Sequence, residues 1–310
     1  MPEKVTAGHR PAWLAVAETG SRWGMGITAW VRQVLGYRVA REMLRPIVLY
    51  YLLRRKAVRR WSRAYLTRAL GRPAGFRDVF RQGLSFATAI LDRLDFWRGR
   101  WDAYHFDIHV PEDVAAIGRQ GKGVVFLSAH LGSHDALRAL INRWGWKLNV
   151  VMYRGHSPLI SELFRRLTPA REVGLIEDEP GSPDTVLRLR EAVARGECVG
   201  LLGDREPAGG GGRGMEVPFF GRKAIFPSTP FLLAALLECP VFLALAVSTG
   251  PRRYSIHVER IIDRIPLPRG EREQVLQGVV RHFAERLEYY CRLYPYEWFN
   301  FYDFWNEENA

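Results

Sequence analysis

Cysteine is scarce in this chain. Cys198, Cys239 and Cys291 are odd in number and far apart, so neither a disulfide framework nor a paired-cysteine metal site is expected, and a reducing, cytosolic setting is the simpler reading. Long apolar runs are missing too. A membrane-crossing helix needs roughly 18–20 apolar residues in succession, and Arg32, Arg38, Arg41, Glu42 and Arg45 interrupt the stretch from Met25 to Leu53. The N-terminus MPEKVTAGHRPAW lacks the basic, apolar and small-residue succession of a cleaved export signal. The glycine-rich AGGGGRGMEVPFFG lacks the GK[ST] ending of a phosphate-binding loop and does not open a helix behind a strand. A lid or tight turn is expected there, not a nucleotide site. Acidic residues are in deficit, 33 against 45 basic ones, and the net charge of +12 implies an anionic partner. Zinc-finger spacing and RNP motifs are absent, which disfavours nucleic acid and leaves an acidic protein or phospholipid headgroups.

What is present begins with helices. Residues 12–70 keep apolar side chains at helical intervals, for example Trp30, Val34 and Tyr37, then Ile47, Tyr50 and Tyr51, and two or three helices are expected. The segment RPIVLYYLLRRKAVRRWSRAYLTR places an apolar patch containing Tyr50 and Tyr51 beside Arg54, Arg55, Lys56, Arg59, Arg60 and Arg63. Such a helix suits the interface of an anionic membrane, with aromatics at headgroup depth and arginines on phosphates; a solvated basic face on a core helix is the plainer alternative. A further helix is expected over residues 76–99.

Beyond it the pattern changes. YHFDIHV, GKGVVFLSA, WKLNVVMYR, VGLIE, ECVGLLGD and CPVFLALAV are short, β-rich runs separated by helix-like stretches, the signature of an α/β sheet. Open α/β sheets put their sites at strand carboxyl ends. Four ends carry polar groups: His130 with Asp135, Tyr153 with Arg154, Glu177 with Asp178 and Glu179, and Asp204 with Arg205. In VVFLSAHLGSHD the strand runs into a turn or cap at Gly132 and Ser133, and DALRALINRW continues as an amphipathic helix. A neutral imidazole at position 130 can take a proton from a hydroxyl, and a carboxylate such as Asp135 can orient the ring and balance its charge. A metal pair of His130 and His134 would need one continuous helix and a third ligand, and no metal or cofactor is expected. Ser133 lacks the second glycine of a nucleophile elbow.

HLGSHD is the H-x-x-x-x-D signature of glycerolipid-type acyltransferases, and its wording resembles the lipid A biosynthesis acyltransferase family of lauroyl and myristoyl transferases. VVMYRG at 150–155, GECVGLLGDREP at 196–207, VPFFGRKAIFPSTPFLLA at 217–234 and YPYEWFNFYDFW at 294–305 match in order. The C-terminal block and the N-terminal helices look most like a branch that acylates polyene-type or amino-acid-containing lipids. Asp135 stands where glutamate is common and Asp204-Arg205 where Asp-Gln often stands; the acids keep their charge, so these departures bear on the acceptor more than on the mechanism.

The resemblance implies a glycerolipid-acyltransferase-like mixed α/β sheet flanked by helices over residues 73–310, preceded by a helical membrane-associating segment over 1–72. It implies transfer of a fatty acyl group from an acyl carrier protein thioester, or acyl-CoA, to a hydroxyl or amine of a lipid at the cytoplasmic face of the bacterial inner membrane, with the chain peripheral or single-pass. His130 would be the base and Asp135 its partner, without a covalent intermediate. Arg154 would grip a phosphate or carboxylate, or form a surface ion pair; Asp204 and Arg205 would shape the pocket, contact the acceptor or form a structural bridge. Phe219, Phe220 and Gly221 would wall the acyl channel or pack in the core. Tyr50, Tyr51, Arg54, Arg55, Arg59 and Arg60 would touch the membrane. A non-catalytic lipid-binding protein on the same fold and a thioester hydrolase are the alternatives.

Overall fold

Valine, leucine and phenylalanine crowd the runs near 125, 199 and 243, and these runs form the buried centre of a seven-stranded sheet. The computed structural model describes residues 32, 34–152, 173–177, 182–205 and 214–305. Its main-sheet strands are β1 (His105–His109), β2 (Val125–Ser128), β3 (Leu148–Met152), β4 (Val173–Glu177), β5 (Cys198–Leu202), β8 (Val241–Gly250) and β9 (Arg253–Ile262), in the spatial order β1-β9-β8-β2-β5-β3-β4. β6 (Gly214–Phe219) and β7 (Arg222–Pro227) form a separate antiparallel hairpin. Every pairing in the main sheet is parallel except β8 with β9. The mixed α/β sheet flanked by helices is therefore the architecture of the described residues.

The six apolar runs account for β1 to β5 and β8. β9 is not among them, although Tyr254, Ile256 and Val258 alternate as buried residues along it, and neither is the β6–β7 hairpin. Alternation in the central strands splits the core in two. Val125 and Leu127 of β2, with Leu243 and Leu245 of β8, join one apolar cluster, while Phe126, Phe242 and Ala244 join the other, because successive side chains point to opposite faces.

The helices are α1 (Gly36–Arg54), α2 (Lys56–Leu70), α3 (Phe76–Trp97), α4 (Glu112–Arg119), α5 (His134–Arg143), α6 (Pro183–Ala194), α7 (Thr229–Leu236) and α8 (Arg272–Leu293). The first face of the sheet is covered by α2, α7 and α8 through Leu66, Phe231 and Phe283; α5 covers the second through Ala136, Leu137 and Ile141. Because Tyr65 and Leu66 are wholly buried in the first cluster, the N-terminal helices share the core of the sheet domain. Burial of one such side chain contributes about 1.5–3 kcal/mol, which ties α2 firmly to the fold. No helix among the described residues is long and apolar enough to cross a membrane.

α1 carries two apolar faces. Tyr37, Ala40, Leu44, Val48 and Leu52 are buried toward the protein, in part against Leu91 of α3. Leu35, just before the helix, and Val39, Met43, Ile47, Tyr50 and Leu53 recur every three or four residues and remain exposed.

Candidate active site

β2 and β5 are adjacent parallel strands in which Ser128 lies opposite Leu202. Two residues past that last pair stand His130 and Asp204, so equal extension of two neighbouring strands brings an imidazole against a carboxylate. The bond from Gly203 N–H to the Ser128 carbonyl (2.9 Å) prolongs the ladder to that point. His130 Nδ1 lies 2.8 Å from Asp204 Oδ1, and the His130 backbone N–H donates to Oδ2 at 2.9 Å. Trp298 completes the carboxylate's shell by donating its indole N–H to Oδ2 at 3.0 Å. The Asp204 side chain is wholly buried whereas that of His130 is 29% exposed, so the ring is the member of the pair that can meet a substrate.

Burial alone raises the Asp204 pKa, yet the charge and hydrogen bond of His130 and the charge of Arg205 outweigh it and hold the carboxyl well below its ordinary range. An ionised carboxylate can only accept. Nδ1 therefore carries a proton, and in the neutral ring Nε2 has the lone pair, the tautomer a general base needs.

The loop between β2 and α5 is held by backbone geometry that only glycine tolerates. Gly132 has φ +79°, and its N–H donates to the Glu297 carbonyl at 2.9 Å while the next N–H, Ser133, donates to the Ala246 carbonyl at 2.7 Å. Ser133 then caps α5, its hydroxyl accepting from Ala136 N–H at 3.2 Å.

The partner of Nδ1 is thus Asp204, where the linear motif had suggested Asp135. Asp135 sits in the first turn of α5 and accepts from Arg93 Nε (2.7 Å), Trp97 Nε1 (2.7 Å) and Arg138 (3.4 Å), joining α5 to α3. Helix geometry explains the difference: the turn at Gly132 starts a new element, and the first turn of α5 points Asp135 at the facing helix. His134 braces the same loop, its Nε2–H donating to the Ala129 carbonyl at 2.9 Å. Burial, reinforced by the charge of His130, lowers its pKa to about 4, so it is neutral at physiological pH. Arg205 donates to the Phe299 carbonyl at 2.5 Å and lies over the Tyr302 ring at 5.4 Å, which ties the strand end to the C-terminal segment.

A family model described as bacterial lipid A biosynthesis acyltransferase matches residues 10–299. The chain belongs to this family. No curated protein matches it in sequence. Membership makes the protein an acyltransferase that serves a lipid acceptor, in a family associated with the bacterial inner membrane. The matched span contains His130, Asp204 and Trp298.

In the acyltransferase, the FFG block turns the β6–β7 hairpin. Phe220 and Gly221 both adopt positive φ (54° and 71°), as a two-residue hairpin turn of the primed type requires. Phe219 is wholly buried and packs edge-on against Trp298 at 5.5 Å, as the core-packing alternative expects. Phe220 is also buried, its N–H bonded to Glu288 and its ring under Arg292. Arg154 lies outside the described residues, as do Tyr153, Asp178 and Glu179.

Of the side chains assigned to the membrane, Tyr50 and Arg54 are exposed and stack on each other at 5.5 Å. Arg55 is exposed beside the half-buried Tyr51. Arg59 donates to the Leu52 and Leu53 carbonyls, capping the C-terminus of α1. Arg60 lines a cavity of about 480 Å³ with Trp61, Tyr302 and Trp305.

Two contacts at the site are not readable from motif spacing: that of Asp204 with His130 and that of Trp298 with Asp204. The signal for Asp204 was its place at a strand end with the same overhang as His130.

Proposed function

We propose that this acyltransferase moves a fatty acyl group from a carrier thioester to a hydroxyl or amine of a membrane lipid, with His130 as general base and Asp204 as the carboxylate that orients it. The observation that carries the reading is the Nδ1–Asp204 contact of 2.8 Å, with the ring partly exposed and the acid wholly buried. His130 Nε2 takes the proton of the acceptor as its oxygen or nitrogen bonds to the thioester carbonyl carbon. The C–S bond then breaks, and the leaving thiolate takes the proton back from the imidazolium. Asp204 stays ionised and stabilises the transient positive ring. No step attaches the acyl group to the protein.

An acyl carrier protein is acidic, and the net charge of +12 favours its approach by electrostatic steering. The test is mass spectrometry of lipids from cells with and without the chain. One lipid species is expected to gain a single acyl chain when the wild-type protein is present and not with His130→Ala. Release of free fatty acid with an unchanged lipid profile would instead make the protein a thioester hydrolase.

The exposed stripe Leu35, Val39, Met43, Ile47, Tyr50 and Leu53 supports membrane contact along α1, with Arg54 and Arg55 at the headgroups. Replacing Val39, Ile47 and Leu53 with glutamate is expected to lower partitioning onto vesicles of phosphatidylethanolamine and phosphatidylglycerol by about a hundredfold or more, since each buried apolar side chain contributes ~1.5–3 kcal/mol. Neutralising Arg54 and Arg55 is expected to weaken binding at low salt and little at high salt. Flotation of the triple variant with the vesicles, as for wild type, would move the contact to another surface.

A further inference from the structure

We propose that Trp298 is a positioning residue for the base, and that residues 297–299 form a strap that holds the ends of β2 and β5 in catalytic register. This rests on the reading of His130 and Asp204 as the acyl-transfer pair. The strap grips both strand ends at once. Toward β2, the Glu297 carbonyl accepts from Gly132 N–H (2.9 Å) and Phe299 N–H donates to the His130 carbonyl (2.8 Å), with Leu131 and Trp298 bridged antiparallel between them. Toward β5, the Trp298 indole donates to Asp204 Oδ2. The same residue thus lies beside the backbone of the base and bonds the side chain of its partner.

Oδ2 receives the His130 backbone N–H and the indole N–H, which leaves Oδ1 for Nδ1. Two donors on one oxygen fix the carboxylate plane. Without the indole donor the carboxylate can turn about its Cβ–Cγ bond, and the proton on Nδ1 loses its dedicated acceptor.

Trp298 is itself held still. It is wholly buried, its carbonyl accepts from Gln82 Nε2 of α3 at 2.6 Å, and its ring meets Tyr65, Phe219 and Phe304 edge-on at 4.8, 5.5 and 5.0 Å. Glu297 anchors the strap from the other side, its carboxyl bonded to Ser85 of α3 and to Ser248 N–H of β8 (3.0 Å). Burial raises the pKa of this carboxyl to about 7. A donor locked this firmly costs no reorganisation during the reaction.

The test removes the donor and keeps the shape. β-(3-Benzothienyl)alanine at position 298 replaces the indole N–H with sulfur in a ring of the same outline; Trp298→Phe is the genetically simpler companion. Once the acceptor lipid is identified, kcat is expected to fall about tenfold to a hundredfold with KM within about twofold, as for a misplaced catalytic group. Nitrogen NMR of the ¹⁵N-histidine-labelled protein reads the tautomer without any substrate, the His130 signals being identified by their absence in His130→Ala. The wild type is expected to hold the Nδ1–H form, and the isosteric variant to mix both tautomers. If His130→Ala is inactive while the isosteric variant keeps wild-type kcat and one tautomer, Trp298 is only a core residue and the strap proposal is overturned. If His130→Ala keeps turnover, the acyl-transfer assignment itself fails. Should Trp298→Phe not fold, the isosteric variant still decides.

Discussion

Asp204→Asn is expected to lower kcat at least about a hundredfold, close to the effect of His130→Ala. The amide can present its NH₂ to Nδ1, which favours the tautomer with the proton on Nε2 and removes the lone pair that would take the acceptor's proton. Backbone geometry at His130 and the indole contact to the carboxylate's second oxygen can both persist in the variant, so folding should change little by comparison. Asp135→Asn is the informative contrast. Asp135 joins Arg93, Trp97 and Arg138 across two helices, and weakening that junction is expected to cost stability more than turnover. The cost should fall below the ~3–5 kcal/mol of a broken, fully buried pair, because the Arg93 side chain is 36% exposed. Steady-state rates and thermal melts of both variants make the comparison. A near-normal rate for Asp204→Asn beside an inactive but folded Asp135→Asn would return the role of partner to Asp135.

Gly132→Ala is expected to be the most damaging glycine-to-alanine change among the described residues. A Cβ at this position would lie 2.0 Å from the Ala246 carbonyl oxygen, and the backbone is at φ +79°. Left-handed backbone costs a residue with a side chain roughly 1–2 kcal/mol, and overpacking adds about 1–3 kcal/mol. The neighbouring atom is backbone of β8, which cannot swing aside. Relief would require the loop to lift away, breaking the bonds from Gly132 N–H to Glu297 and from Ser133 N–H to Ala246 that hold His130 over Asp204. A fall of several degrees in Tm, together with loss of acyl transfer in the protein that still folds, is the expected outcome. Wild-type stability and activity would show that the loop has more room than this geometry allows.

Much of the site was legible because its signals are local. His130 follows an apolar strand and precedes a helix, and the cap at Ser133 needs only neighbouring residues to be recognised. The helix over residues 76–99 is almost the observed α3 (Phe76–Trp97), since a single apolar stripe of period 3.6 marks it. β9 was legible in principle from its alternation. The exposed stripe on α1 was not separable from the buried one, because both are apolar and only packing shows which face is covered. Arg59 likewise looked like its basic neighbours until the break between α1 and α2 directed it at the carbonyls of α1.

By itself, the sequence determined the alternation of strands and helices, the glycine that lets the chain turn after His130, and the presence of a histidine and several acids at strand ends. Only the tertiary structure decided which acid lies against the histidine. Asp135 is five residues away along the chain but belongs to a helix whose first turn directs it at α3, whereas Asp204, 74 residues away, is brought alongside by the parallel pairing of β2 with β5. The same holds for Trp298, which reaches the carboxylate because the segment after α8 folds back across both strand ends. Hydrogen bonds act over about 3 Å of space, and separation along a chain says little about that distance until a sheet has set the register.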